Sequence, residues 1–197
     1  MTSIIKVNTI QDVGGNNLLI SNGSGTITTN KLGITEADTW CVTSTFSNSS
    51  NGADEVKTSN WSRQVAPTYG SFSKIGTGMS ESSGIFTFPL TGIYLVIFQG
   101  ILEVDGALAS NAFNIEVTTD NSSYTSVAET RGSLSYISGG SVVNKWSGIT
   151  QTLVDVTDTS NVKVRFQSTT GSSPIAALQG SSTENLTSMT FIRLGDT

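Results

Sequence analysis

The sequence predicts an all-β fold, an antiparallel jelly-roll sandwich, and three observations predict it. Ser83 to Phe98 reads as two strands joined by a corner. Ser and Thr number 30 and 28 of 197 residues; Thr favours strands, while Ser, Asn and Gly favour turns. Short apolar runs recur between polar turns, with no sustained helical period.

Residues 1–34 differ in texture from the rest. Ile4, Ile5, Val7 and Ile10 form a short strand-like run that ends at Asp12-Val-Gly-Gly-Asn16. Leu18, Leu19 and Ile20 follow, then the turn Ser21 to Gly25, then Thr26 to Thr29. Large apolar residues are too few for a core, and units below roughly 40 residues usually need staples or partners. Strands supplied by other copies of the chain are the natural remedy. Ile4, Ile5, Val7, Ile10, Leu18 and Ile20 are the expected docking residues of this segment.

Residues 35–197 are expected to form the head. Strands are expected at Thr39–Phe46, Gly70–Ile75, Gly84–Pro89, Ile93–Glu103 and Ala112–Thr118. Further ones are expected at Tyr124–Glu129, Ser141–Leu153, Lys163–Ser168 and Thr187–Leu194. Between them lie turn signals such as Asn48–Gly52, Asp105-Gly106, Asp120–Ser123, Asp158–Asn161 and Gly171–Pro174. Many short strands with frequent polar turns point to a sandwich or barrel, and a jelly roll is the expected form.

At the corner, Ile85, Thr87 and Pro89 alternate with Phe86, Phe88 and Leu90, the period of a strand with two different faces. Pro89 cannot donate a ladder hydrogen bond, so the strand should end there. Thr91-Gly92 supplies the turn. Ile93 to Phe98 runs almost wholly apolar, which predicts a strand buried on both faces.

Composition excludes several functions. The net charge is −5 and no basic stripe is present, which argues against nucleic acid as a partner. Histidine is absent, removing the commonest general base and transition-metal ligand. Cys41 is the only cysteine, so no intrachain disulfide or thiolate cluster can form, and beside Trp40 and Val42 it reads as a buried small hydrophobe. No signal peptide or apolar span of roughly 18 residues is visible, so membrane insertion is not expected. Asn121 and Asn185 stand in glycosylation-like triplets that the Ser/Thr/Asn-rich composition produces by itself.

Candidate chemistry is sparse. Asp54 with Glu55, Glu103 with Asp105, and Asp155 with Asp158 are the paired carboxylates available for glycoside hydrolysis; solvated charges at strand ends explain them as well. Asp155 to Asn161 offers oxygen ligands for calcium, or simply a hairpin turn. Gly76-Thr-Gly78 has no following Lys-Ser/Thr and no strand–helix context, so it reads as a bend rather than a nucleotide loop. Trp40, Trp61 and Trp146 either pack in the core or stack on a ligand. Trp61 and Trp146 are the ones singled out as possible ligand contacts. No cofactor is expected.

Phe86, Phe88, Pro89, Gly92 and Tyr94, ahead of an apolar strand, resemble the corner of the complement-C1q/tumour-necrosis-factor superfamily. Met189 to Leu194 is similar to that family's terminal core strand. The resemblance covers roughly Ala37 to Gly195. Ser3-Ile-Ile-Lys-Val-Asn-Thr-Ile10 resembles a leader found in virion proteins of tailed, especially marine, phages. Asn60-Trp-Ser-Arg63, Ile75-Gly-Thr-Gly-Met79 and Phe191-Ile-Arg-Leu-Gly-Asp196 look similar to heads that follow such leaders. The resemblance implies a homotrimeric C1q/TNF-like head (35–197) on an N-terminal trimerisation and attachment segment (1–34). Phe86, Phe88, Tyr94, Val96, Phe98 and Phe191 would form the trimer interface or core, with Tyr94 and Phe191 stacking on the threefold axis.

The function so implied is that of a non-enzymatic virion structural protein, a surface fibre or adhesin head for host attachment. The same architecture would also suit a capsid decoration protein, and an enzyme degrading capsular glycan is a third, different reading. Expected partners are further copies of the chain, a tail or major capsid protein, and a host surface glycan or protein. The expected location is the virion surface, after synthesis in the host cytoplasm.

Overall fold

A computed structural model of the chain describes residues 8–21, 23–24, 27–29, 33–48, 54–63, 74–104, 108–134, 144–170 and 176–197. Ile4, Ile5, Val7 and Asp105 lie outside the described residues. The chain divides into two compact units, Met1–Thr35 and Glu36–Thr197, next to the boundary expected after Ile34.

The first unit holds three antiparallel strands in the order β1-β2-β3: β1 Thr9–Gln11, β2 Asn17–Ser21 and β3 Ile27–Thr29. Asp12 sets the β1–β2 turn. Its Oδ1 accepts the Asn16 backbone N–H at 2.9 Å, its Oδ2 accepts Asn16 Nδ2 at 2.9 Å, and its carbonyl accepts the Gly15 N–H at 3.0 Å. No side chain whose burial is described in this unit is buried. Ile10, Leu18 and Ile20 are 44%, 48% and 38% exposed, so the sheet has no core of its own.

The second unit begins with β4 Ala37–Val42, β5 Phe46–Ser47, β6 Asp54–Val56, β7 Trp61–Arg63 and β8 Lys74–Ile75. A hairpin of β9 Ser80–Ser82 and β10 Ile85–Thr87 follows, then the long strand β11 Gly92–Val104. The remaining strands are β12 Leu108–Thr118, β13 Thr125–Leu134, β14 Asn144–Val156, β15 Lys163–Thr169, β16 Ala177–Leu178 and β17 Ser188–Gly195. One sheet runs β5-β16-β11-β17-β4-β7, with β14 also on β11 and β8 also on β4. The other runs β13-β12-β15-β10-β9, with β6 also on β15. Every pairing described is antiparallel. The chain passes repeatedly between the two sheets, which is jelly-roll topology.

Aromatic rings fill the space between the sheets. Phe86 of β10 lies 5.4 Å from Phe166 of β15 and 5.4 Å from Phe191 of β17, centroid to centroid. Trp40 and Trp61 meet Phe86 edge-on at 5.6 Å each. Such inclined contacts suit ring quadrupoles, and each fully buried Phe contributes about 1.5–3 kcal/mol of transfer free energy.

The structure corrects the expectation that Ile93–Phe98 is buried on both faces. Tyr94, Val96 and Phe98 are buried, whereas Ile93, Leu95 and Ile97 between them are only half-buried. β11 therefore has one inward face and one apolar outer face; its run of apolar residues hides the period of two. The expected strand Thr39–Phe46 is split. β4 pairs with β17 whereas β5 pairs with β16, so the chain steps from one neighbour to the next after Val42. Strands β6, β7, β9 and β16 were not expected. The Ser83-Gly84 loop between β9 and β10 has φ of 53° and 81°, as a two-residue hairpin requires. A Cβ on Gly84 would stand 2.2 Å from the Lys57 carbonyl oxygen, so glycine is needed there for space as well as for φ.

Candidate functional site

The Pro89–Gly92 corner is held from inside. Tyr94, the third residue of β11, sends its hydroxyl back to donate to the Leu90 carbonyl at 3.1 Å, and its ring lies 4.7 Å from that of Phe88. Gly92 has φ of 136° and a Cβ there would lie 2.4 Å from the Gly195 carbonyl oxygen, so the turn and the end of β17 close on each other.

Phe86, Phe88, Tyr94, Val96, Phe98 and Phe191 all lie between the sheets of one protomer, none more than 2% exposed. Tyr94 and Phe191 pack within the core of a single chain. Alternation along β11 and β17 aims both inward, and their own core occupies them.

The other face of these strands is largely apolar and partly exposed. Leu95 stands between Leu153 of β14 and Ile192 of β17. Ile97 follows two residues on, and Ile149 lies across from Gln99. Leu153 is 61% exposed and Ile149 57%. Beside Ile149, an open groove of about 590 Å³ is lined by Gln99, Ile101, Ser147, Asn185 and Leu186 among others. Exposed apolar side chains on one face of a sheet make it a candidate contact surface. Its signal was present in the sequence, in the unbroken apolar run at 93–98, but was read as double burial.

The tryptophans belong mainly to the core. Trp61 is 9% exposed and its Nε1 donates to the Lys57 carbonyl at 2.8 Å. Trp146 is half-buried, packs on Phe113 with centroids 4.8 Å apart, and fits against Gly132 and Gly148. Trp40 is also 9% exposed; its Nε1 donates to Asp38 and the Arg63 guanidinium lies over its ring at 4.4 Å.

The charged groups have structural partners. Glu103 pairs with Lys145 at 2.9 Å, directly across from it on β14. Asp54 accepts from the Thr169 hydroxyl. Asp158 accepts from the Ser160 N–H at 2.7 Å and from Asn161 Nδ2 at 2.8 Å, both within the β14–β15 turn. Among the described residues, no group of three His, Cys, Asp or Glu is placed to hold a metal. Cys41 is 2% exposed, its thiol lies 3.4 Å from the Ser62 carbonyl, and burial pushes its pKa up, the opposite of an activated thiol.

Two buried acids escaped the sequence reading. Glu36 accepts the N–H groups of Thr77 and Gly78 at 3.1 and 2.9 Å, so the Gly76–Gly78 bend cradles a carboxylate of its own chain. Asp38, 1% exposed, takes both prongs of Arg63 and the Met79 N–H at 2.7 Å. Apart from Trp40, two positions from Asp38, their partners lie 25 to 42 positions away, so local pattern gave no sign of them.

A second polar cluster is more enclosed. Lys57, Asn48, Ser168 and Thr170 are each at most 2% exposed. Lys57 Nζ donates to Asn48 Oδ1 at 2.7 Å and lies 4.0 Å from a Glu55 carboxylate oxygen. Burial holds the Lys57 pKa down, to about 8, against the opposing pull of Glu55.

No family model and no curated protein matches the chain. Solved structures do match it. The structure of Eiger TNF from S. frugiperda aligns with a TM-score of 0.51 at 14% identity, covering 82% of this chain and 93% of that one. The crystal structure of murine APRIL at pH 5.0 aligns with a TM-score of 0.52 at 12% identity, covering 81% and 98%. What is shared at such identities is the fold: an all-β, antiparallel jelly roll of the tumour-necrosis-factor/C1q type.

Proposed function

We propose that this chain is a non-enzymatic structural protein of a tailed-phage virion, a homotrimeric head for host attachment. The observation that carries the reading is the partly exposed apolar face formed by Leu95, Ile97, Ile149, Leu153 and Ile192. Packing three copies about a common axis would remove this face from water through three equivalent heterologous contacts that close a ring. Burial of apolar area of this kind is the main driving force of association.

The N-terminal unit supports the same assembly. Ile10, Leu18 and Ile20 find no core within their own sheet, and strands from other copies would supply it. Placement on a phage particle rests on the resemblance of Ser3–Ile10 to phage leaders, with a tail or major capsid protein as the docking partner. The Ser-, Thr- and Asn-rich loops offer neutral hydrogen-bond groups to a host glycan or protein, and three linked sites would bind by avidity.

Light scattering on the purified chain at micromolar concentration tests the assembly; a trimer is expected, and a monomer overturns it. Copy number on the particle separates the two structural roles. A few tens or fewer fits a fibre, whereas hundreds would make the chain a capsid decoration protein.

A further inference from the structure

The buried Lys57–Asn48 pair is an unusual thing to place in a core. An amine on a four-carbon stem is almost never fully buried unless it is paired, and a hydrogen bond to an uncharged carboxamide with a carboxylate oxygen at 4.0 Å is weak compensation for a buried ammonium. Burial has instead shifted this group towards the neutral amine, the nucleophilic form of lysine. We propose that Lys57 and Asn48 join in an intramolecular amide cross-link, formed by the chain itself without a further enzyme.

The geometry supplies each requirement of that reaction. Nζ lies 2.7 Å from Asn48 Oδ1, so it is no farther than about 3.9 Å from Cγ, a C=O bond being about 1.2 Å long. That is close to the roughly 3–3.5 Å of a near-attack arrangement. The Ser168 hydroxyl also donates to Oδ1, at 3.3 Å, and Asn48 Nδ2 donates to Thr170 Oγ1 at 3.4 Å. These contacts fix which way the carboxamide faces. Both backbones are anchored, the Asn48 N–H to the Ala176 carbonyl at 3.1 Å and the Lys57 N–H to the Phe166 carbonyl at 3.0 Å. The Phe46 ring, 5.5 Å from Nζ, closes the apolar side. Glu55, 4.0 Å from Nζ, is the proton carrier.

The step balances without any co-reactant. The Nζ lone pair attacks Cγ, and the carbonyl π pair moves onto Oδ1, where the Ser168 hydroxyl stabilises it. Glu55 takes one proton from Nζ and delivers it to Nδ2. The Cγ–Nδ2 bond breaks, ammonia leaves, and the carbonyl re-forms. The product is a Lys57 Nζ–Asn48 Cγ amide, with no change in oxidation state. It ties the segment after β5, in one sheet, to the segment after β6, in the other.

Mass spectrometry of the intact, purified full chain tests this. The expected mass lies about 17 Da below that of the sequence, the mass of the ammonia lost, and digestion yields one branched peptide containing both Asn48 and Lys57. A chain at its full sequence mass, cut normally by trypsin after Lys57, overturns the proposal. Loss of ammonia that maps to another asparagine, or that persists in Lys57→Arg, also overturns it, because an asparagine can lose ammonia to its own backbone. Glu55→Gln is expected to fold, by circular dichroism, and to keep the full mass. The branched peptide decides the matter on the unaltered protein even if a variant fails to fold.

Discussion

The hydroxyl of Tyr94 reaches back across the corner to the carbonyl of Leu90, at 3.1 Å. With Tyr94 1% exposed, this bond ties the start of β11 to the bend that precedes it. It is why a tyrosine rather than a phenylalanine stands at this position. Tyr94→Phe keeps the ring packing against Phe88 and strands one carbonyl. The expected loss is about 1 kcal/mol, read as a lower urea midpoint with an unchanged slope.

Leu153 lies beside Leu95 on the outer face of the eight-stranded sheet. Leu153→Glu puts a charge into the patch without touching the core. It is expected to abolish the proposed trimer, giving a monomer in light scattering, while leaving the far-ultraviolet circular dichroism unchanged. A trimer that survives the change places the contact elsewhere.

Asp38 accepts bonds from Arg63, Trp40 and the Met79 N–H. Asp38→Ala leaves the Trp40 and Met79 N–H groups without this acceptor and Arg63 with the Met79 carbonyl. Removing one member of a buried pair costs about 3–5 kcal/mol; because the Arg63 side chain is 27% exposed and water can reach it, the lower end, about 3 kcal/mol, is expected. Thermal unfolding measures it, and a cost under about 1 kcal/mol would show that the pair is dispensable.

Asp120 caps the β12–β13 turn. Its carboxylate accepts the N–H groups of Ser123 and Ser122 and the Thr118 hydroxyl, which hold its pKa well below the usual carboxylate value of 3.8. The folded value lies below the unfolded one. The turn's stabilisation is therefore complete above pH 3.8 and is lost as pH falls below it towards the folded pKa. The amide resonances of Ser122 and Ser123 should follow the titration with a midpoint well under 3.8. A midpoint at the ordinary value would mean that the bonds do not form in solution.

Strands β12, β14, β15 and β17 were legible because each carries enough alternating apolar residues to report its own period, and β11 was legible as a strand although its apolar run hides that period. β9 was not, since Ser80-Glu81-Ser82 has no apolar residue; only its pairing with β10 makes it a strand. The corner was legible from Pro89, Gly92 and Tyr94, but the side chains chosen for the interface were the inward set. An all-apolar strand does not say which face meets its own core. Glu36, Asp38 and Asn48 looked like surface residues, because burial of a polar group depends on partners that the fold brings from elsewhere in the chain.

Strand β17 lies between β4 and β11, so the middle of the eight-stranded sheet is the last part of it to be synthesised. Thr39 and Thr190, 151 positions apart, end side by side. While the chain emerges from the ribosome, β4 and β11 each present a rim that β17 has yet to pair. Pairings so distant fold slowly, in roughly milliseconds to seconds, and exposed rims of this kind favour strand exchange between neighbouring nascent chains. Copies translated from one message would thus meet while their sheets are still open.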